Sequence, residues 1–462
     1  MNLSLPNQYD FLPRFFKLAI ANVLSNLLVP LSGLISIAFL GHLSEIHHLV
    51  GVALATILFN CLYIVLSFLR MSTTGVTAQA VGQDDREAII LTALRNGLIA
   101  LGLGLLILVL QYPLRELGFA LLSGTPEAKA SGFDYFNARI WGAPAVLLNF
   151  VLIGWFLGRE ESGKVLLMSL IGNAANVVLD YIFIVQWNWA SAGAGLSQAV
   201  SQYLMLFVGL IFACLQIQWK EITAVARQVV HKSAVKSTFT LNGNLFVSTI
   251  VIVACFNIFQ DLSSTMGTIL FTENTLMMQI VLLSIYLIQG LGFATETLSG
   301  NFKGKGANEQ LIPLIQIAGV TSLLVGFTIA LVSVFFPETV FGLLTNHSEV
   351  TEQMDSYVQW LLPILGFLSV AAMLDGYFLG LADGHTVRNV TLASVGVGFV
   401  PAAVAALHFH SNHLLWTALS AFLATRAIIY GIQLPKTFKS DVEESTISPV
   451  AVEEEIQVQA LK

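Results

Sequence analysis

The feature that most constrains this chain is a recurrence. Apolar segments of roughly 20 residues, the length needed to cross a bilayer, return twelve times along it. Their approximate bounds are 15–40, 50–72, 88–111, 134–157, 164–186, 193–216, 236–259, 265–291, 311–336, 357–380, 386–407 and 413–434. In hydrocarbon every backbone N–H and C=O must find a partner within the protein, and single segments of this length do so only as helices. The expected fold is therefore an all-α polytopic membrane protein, lodged in a lipid bilayer. Composition agrees at the point where it decides: 11% of the 462 residues are charged, against about a quarter in soluble domains.

Basic residues orient the bundle. With the N-terminus inside, the inner loops carry Arg86, Arg159, Lys164, Lys220, Arg227, Lys232, Lys236, Lys303, Lys305 and Arg388, whereas the outer loops hold Arg115 and Lys129. This asymmetry predicts cytoplasmic termini. The polar, mixed start (Met1 to Arg14) and the long first apolar run predict no cleavable signal. Cys61, Cys214 and Cys255 lie in separate apolar segments and read as small hydrophobes. Beyond Pro435 the chain turns acidic (Asp441, Glu443, Glu444, Glu453, Glu454, Glu455) and is expected to be disordered.

The sequence also repeats itself. Gly154-Trp-Phe-Leu-Gly158 returns as Gly376-Tyr-Phe-Leu-Gly380, an offset of 222 residues, and Tyr135 matches Tyr357 at the same offset. Thr77, Gly82 and Gln83 are mirrored by Thr295, Gly300 and Asn301, offset by 218. The expectation is two six-helix lobes related by a parallel pseudo-two-fold axis, with the substrate path between them. The N-lobe spans 1–216, a cytoplasmic linker 217–235, the C-lobe 236–440 and the acidic tail 441–462.

Against this apolar background, polar residues stand out. In Gly172-Asn-Ala-Ala-Asn-Val-Val-Leu-Asp180, Asn173, Asn176 and Asp180 share one helical face. An intramembrane carboxylate costs about 3 kcal/mol or more and normally faces a bundle interior or a hydrated cavity. Asp180 is thus read as a proton- or ion-accessible group, with helix-tying hydrogen bonds as the structural alternative. On the first helix Asn22, Ser25, Asn26, Gly33 and Ser36 fall on one side, and Pro30 interrupts the hydrogen-bond ladder. The fourth helix carries Asn149 at mid-depth and Arg139, expected to pin helices with Asp134 as its partner. In the second half, Asp375, Glu273, Asn274 and Met277 are candidates for contact with substrate or protons, Met278 follows, and Glu296 is expected to be interfacial and structural.

Several chemistries find no support. The sequence has no Walker A motif, no HExxH, no GxSxG and no clustered cysteine or histidine pattern. His408 and His410 could hold a metal but are read as solvated, and no metal, no cofactor, no enzymatic activity and no nucleic-acid partner is expected. Without an ATP site, uphill transport would draw on an ion gradient.

Taken in order, Leu40-Gly-His-Leu43, Leu58-Phe-Asn60, Phe68-Leu-Arg-Met71, Thr73-Thr-Gly75-Val-Thr-Ala-Gln79, Pro144 through Gly154-Trp155, Gly172-Asn173, Asn176 through Asp180, Leu374-Asp375-Gly376 and Arg388-Asn389 resemble the MATE (multidrug and toxic compound extrusion) family, and its DinF-like bacterial branch in particular. The resemblance covers nearly all of the twelve-helix region. It implies export of organic, often cationic, small molecules in exchange for H⁺ or Na⁺ across a bacterial inner membrane, by two lobes alternating access. It also implies an N-lobe cation site that pairs a first-helix aspartate with the asparagine and aspartate of the fifth helix. Asn176 and Asp180 match the latter pair, but the first-helix position is Ser36, where similar proteins read aspartate.

The resulting expectation is a monomeric secondary antiporter that binds a proton at Asp180, with Asn176, Ser36 and Asn149 in support. H⁺ is favoured over Na⁺ because one carboxylate neutralises a proton without the several oxygen ligands sodium needs. The competing readings are a lipid-linked precursor flippase of the wider superfamily, which would need a strongly cationic cavity, and a passive channel or non-transporting scaffold.

Overall fold

The structure, a computed structural model, describes residues 9–43, 45–343 and 356–446. Twelve helices among the described residues are long and apolar enough to cross a membrane. The first six are α1 (Leu12–Gly41), α2 (Ile46–Gly82), α3 (Arg86–Val109), α4 (Pro126–Gly158), α5 (Ser162–Gln186) and α6 (Ala190–Cys214). The second six are α7 (Lys232–Ser264), α8 (Thr268–Lys305), α9 (Asn308–Phe335), α10 (Val358–Gly380), α11 (Gly384–Phe409) and α12 (Asn412–Phe438). The last helix continues through Pro435 to Thr446, so the first residues of the expected tail are helical, and 447–462, including Glu453 to Glu455, lie outside the described residues.

Some spans outrun their apolar windows for identifiable reasons. α4 starts at Pro126 instead of 134 because Thr125 caps it, its hydroxyl accepting from the Ala128 N–H at 3.3 Å, with Pro126 preset in the first turn. α8 runs to Lys305 instead of 291 because its polar end, including Thr295, Glu296, Ser299 and Asn301, is buried by protein. Breaks fall within spans as well. α2 turns at Ser67, whose hydroxyl donates to the Ile64 carbonyl at 2.7 Å. α5 and α11 widen into π-helical turns over Tyr181–Gln186 and Val395–Phe399.

The internal repeat is exact in register at 222 residues. α2, α3, α5 and α6 begin at 46, 86, 162 and 190, and α8, α9, α11 and α12 begin at 268, 308, 384 and 412, each 222 later. The left-handed turn residues obey the same spacing: Asp84 pairs with Gly306, Glu160 with Ala382 and Asn188 with His410, all 222 apart. The expected 218 match of Thr77, Gly82 and Gln83 with Thr295, Gly300 and Asn301 is therefore corrected. Gly82 corresponds to Gly304 and Gln79 to Asn301, again 222 apart, and the four meet reciprocally across the lobe interface. A Cβ on Gly82 would lie 2.3 Å from the Asn301 carbonyl oxygen, and one on Gly304 would lie 2.1 Å from that of Gln79. Only glycine permits this approach. The repeated GxxxG-type motif works likewise: Gly154 and Gly158 lie on the Arg70 and Thr74 carbonyls of α2, and Gly376 and Gly380 on those of Gly292 and Glu296 of α8.

These contacts bring the lobes together near the face that holds the start of α1 and the end of α12, called here the terminal face. Arg14 of α1 pairs with Glu160 and lies 3.5 Å from Asn301 there. Gln79 donates to the Gly380 carbonyl at 2.9 Å, and Asn242 of α7 donates to Asn96 of α3 at 3.0 Å. The segment between the lobes is ordered, with a short helix at Trp219–Val225 opened by a capping box of Gln218 and Glu221. Arg86 and Arg95 of α3 hold it, donating to the carbonyls of Gln216 and Gln228 at 2.8 Å each. The hydrogen bonds of Arg86, and then the Gln218 N–H, bring the half-buried Glu221 carboxyl down to about 2. A carboxyl lowered on folding contributes stability above its ordinary range and loses it only as pH falls toward about 2. The anchor is thus intact at any neutral or mildly acidic pH.

Candidate functional site

The face of α1 that the sequence marks as polar opens onto a cavity of about 530 Å³. Asn22, Ser25, Asn26, Pro30, Gly33 and Ser36 all line it. Opposite stand Asn149 and Phe150 of α4, Asn173 of α5 and Gln198 and Gln202 of α6, while Tyr286 and Phe293 of α8 close it from the second lobe. Pro30 has no N–H to give the Asn26 carbonyl. The Asn26 side chain in turn donates to the Tyr286 carbonyl at 3.2 Å, joining the lobes along the cavity.

Behind this wall α5 is zipped to its neighbours by its polar stripe. Asn173 accepts from Ser32 of α1 at 2.7 Å, and Asn176 accepts from Gln198 at 3.1 Å and donates to Ser197 at 3.3 Å. One turn on, the fully buried Asp180 accepts hydrogen bonds from the hydroxyls of Ser36 and Ser197. Ser36 also lies 3.5 Å from the Asn176 side-chain oxygen. Asp180 is the last α-helical residue before the π-helical turn, a distortion that recurs at functional sites. Asp180 itself does not line the cavity, whereas its hydrogen-bond partner Ser36 does.

Asn149 is not a partner of Asp180. Its amide donates to the side-chain and backbone oxygens of Gln202, at 3.1 and 3.0 Å, so it shapes the wall. Four lining atoms, Asn22 Nδ2, Ser25 Oγ, Tyr63 OH and Asn149 Oδ1, have no hydrogen-bond partner among the described residues. Buried polar atoms are nearly always satisfied, so these four are positions at which a molecule in the cavity could be hydrogen-bonded. The charged lining residues are Arg70 and Arg139. Arg70 pairs with Glu296 at 3.4 Å across the lobes and lies 3.8 Å over the Phe293 ring. Glu296 is fully buried within the protein. Arg139 does not pair with Asp134, which is exposed. It donates to Tyr135 OH at 2.7 Å and sits 4.5 Å over the Phe59 ring, a guanidinium held by aromatic faces.

The second-lobe candidates lie elsewhere and do not line this cavity. Asp375 of α10, itself half-buried, accepts from the buried Arg426 at 2.8 Å and Tyr430 at 2.5 Å on α12. Asn274 donates to Ser263 and Asn412, at 2.7 Å each, and accepts from Trp416 at 2.8 Å. Met277 and Met278 are packed in the C-lobe core with Phe259, Leu361 and Trp416. Glu273, fully buried, has neither carboxyl oxygen hydrogen-bonded among the described residues. The half of α8 farther from the terminal face turns Glu273, Asn274 and Met277 toward its own lobe, and spacing within one helix cannot show which neighbour a face meets.

Sequence reasoning missed Ser197, Gln198, Gln202, Ser32 and Arg70. Ser32 and Ser36 do stand at i, i+4 on α1, and Ser197 and Gln198 follow Gly193-Ala-Gly195, but hydroxyls in small-residue helices are usually packing elements. For metal, the described residues bring together one group, Glu45, His47 and His48 at the start of α2.

Comparison with known proteins fits this geometry. The protein-family model described as MatE matches residues 22–182 and 244–404, two segments themselves 222 residues apart. DNA damage-inducible protein F of Escherichia coli (strain K12) is 30% identical over 415 residues, 89% of this chain and 90% of that one. A probable multidrug resistance protein NorM of Thermotoga maritima is 24% identical over 426 residues, with the same two coverages, 89% and 90%. Two solved structures share the fold at 18% identity and a TM-score of 0.83, each covering 92% of this chain and 96% of its own. One is a MOP superfamily transporter from Pyrococcus furiosus described by the reverse polarity of its binding pocket, the other an outward-facing multidrug resistance MATE family transporter.

Proposed function

This chain belongs to the MatE family, and from that premise we propose that it is a secondary antiporter that exports organic small molecules in exchange for protons bound at Asp180. The family makes it a multi-pass membrane transporter; the coupling ion, the substrate and the orientation are this proposal's own. The observation that carries it is the pair of hydroxyls on Asp180. A serine hydroxyl can donate to a carboxylate or, after rotating, accept from a carboxylic acid. Both protonation states of Asp180 can therefore be hydrogen-bonded without moving a heavy atom, whereas an arginine or lysine there would lock the anion. Ser36 belongs at once to this cluster and to the cavity wall, so the charge on Asp180 bears directly on what the cavity holds.

A proton, unlike Na⁺, needs no further negative charge in hydrocarbon, and Asp180 has serines where a second carboxylate would assist a sodium ion. Substrate would occupy the cavity among Tyr63, Phe150, Tyr286 and Phe293 and take up the unpaired atoms of Asn22, Ser25 and Asn149. Only a difference in affinity between two conformations can drive the exchange. Cytoplasmic termini, supported by the lysines and arginines of the terminal face, and a monomeric state complete the reading.

The substrate has a second reading, favoured by one observation: the charged residues lining the cavity are both arginines. Amphipathic cations would rely on aromatic faces and on ionised Asp180 behind the wall, whereas amphipathic anions would use Arg139 directly. Reconstituted vesicles decide both points. Exchange driven by an imposed pH gradient at symmetric Na⁺ is expected, screened with matched organic cations and anions. Exchange driven by Na⁺ at symmetric pH, and absent under a pH gradient alone, would refute proton coupling.

A further inference from the structure

We propose that Glu45, His47 and His48 form a site for a zinc-like transition-metal ion where α1 hands over to α2, on the face opposite the termini. The three residues present one ligand atom each, all within 4.8 Å of one another. The Glu45 Oε2 lies 3.2 Å from the Nε2 of His47 and 3.6 Å from the Nε2 of His48. Zinc bonds of about 2.0–2.1 Å in tetrahedral geometry separate neighbouring ligand atoms by about 3.4 Å, midway between these two distances. The rings are already gathered, with centroids 4.3 Å apart. Glu45 occupies the N-cap position of α2 but its side chain makes no capping hydrogen bond, so the carboxylate is free to face the imidazoles.

A second layer of contacts orients the site. The Nδ1 of His48 lies 2.8 Å from the Ser191 hydroxyl of α6 and 3.2 Å from the Ser131 hydroxyl of α4, both serines being buried. When Nδ1–H donates to a hydroxyl, Nε2 keeps its lone pair for a metal, the arrangement usual behind histidine ligands. Two imidazoles and one carboxylate suit Zn²⁺, Co²⁺ or Ni²⁺; Mg²⁺ and Ca²⁺ prefer all-oxygen shells. Three protein ligands leave a fourth position for water. Leu40 and Val52, either side of this connection, line the cavity. A bound ion would fix the first turn of α2, whose His48 is already held to α4 and α6 through Ser131 and Ser191.

The test is metal binding by the full chain, purified in detergent without a histidine tag, and needs no transport assay. Isothermal titration with ZnCl₂ is expected to give one equivalent bound, with no saturable binding of MgCl₂. Substitution with Co²⁺ is expected to give the visible absorption of a tetrahedral ion. His47→Ala and His48→Ala should each abolish the equivalent, and Ser191→Ala should weaken it by about tenfold through loss of orientation. A His408→Ala/His410→Ala variant should bind as wild type does. The proposal is overturned if wild-type protein binds no zinc, or if the His47→Ala/His48→Ala double variant still binds it while the His408→Ala/His410→Ala variant does not.

Discussion

The two lobes share one backbone and carry opposite chemistry at equivalent positions. Stepping 222 residues from Asn173, Asn176 and Asp180 of α5 leads to Val395, Gly398 and Ala402 of α11. Ser36 leads to Ile258, Asn149 to Ala371 and Ser197 to Leu419. In the reverse direction Asp375, Arg426 and Tyr430 of the C-lobe lead back to Ile153, Leu204 and Val208. What the lobes have in common is packing: the left-handed turns, the span starts and the glycines at close crossings. The repeat thus preserves the features that backbone geometry demands, and leaves polar side chains free to differ. The N-lobe's carboxylate has rotatable hydroxyl partners beside a cavity, and the C-lobe's Asp375 is bound by a guanidinium and a phenol. On the proposed function the first arrangement gains and loses a proton with little rearrangement, and the second serves as a brace.

The largest expected effect tests that contrast directly. Asp180→Asn keeps volume and hydrogen bonding but cannot titrate, so exchange should fall to the level of empty vesicles while membrane amounts stay unchanged. Wild-type rates in this variant would remove Asp180 from the mechanism. The mirror experiment is Asp375→Asn, which leaves Arg426 buried without its anion. It should cost about 3–5 kcal/mol of stability in detergent unfolding, with turnover per folded molecule retained. Replacing both partners, as Asp375→Leu with Arg426→Met, should recover most of that loss. A stable Asp375→Asn protein that had lost exchange would collapse the distinction between the lobes.

Smaller effects sharpen it. Ser36→Asp would set two carboxylates side by side in the N-lobe, and two such groups cannot both stay ionised. One would hold its proton to higher pH, so the pH optimum of exchange should move upward, and Na⁺ sensitivity is read from the same vesicles as a change in rate with added NaCl. An unchanged pH profile would separate Ser36 from the ion site. The least effect is expected from Met277→Leu in the C-lobe core, a volume-conserving swap that should cost less than about 1.5 kcal/mol and leave substrate range intact. A changed substrate range there would place the C-lobe core in the binding site after all.

Hydropathy and spacing alone established the twelve helices, the two-lobe repeat and the buried stripe that ends in Asp180. Each of those is a property of one segment, or of two segments compared, and the cost of exposing backbone or charge to lipid acts locally. The polar face of α1 was legible for the same reason, since period alone puts Asn22, Ser25, Asn26 and Ser36 on one side. Tertiary structure decided which groups meet. Asn149 faces Gln202, Asp375 faces Arg426, Arg139 faces aromatic rings, and Glu273 with Met277 turns into the C-lobe core. Ser197 became the second ligand of Asp180, and Glu45, His47 and His48 became a cluster. A partner's identity depends on the rotation of each helix about its axis and on its neighbours, and those are settled by packing the whole bundle, which no single segment encodes.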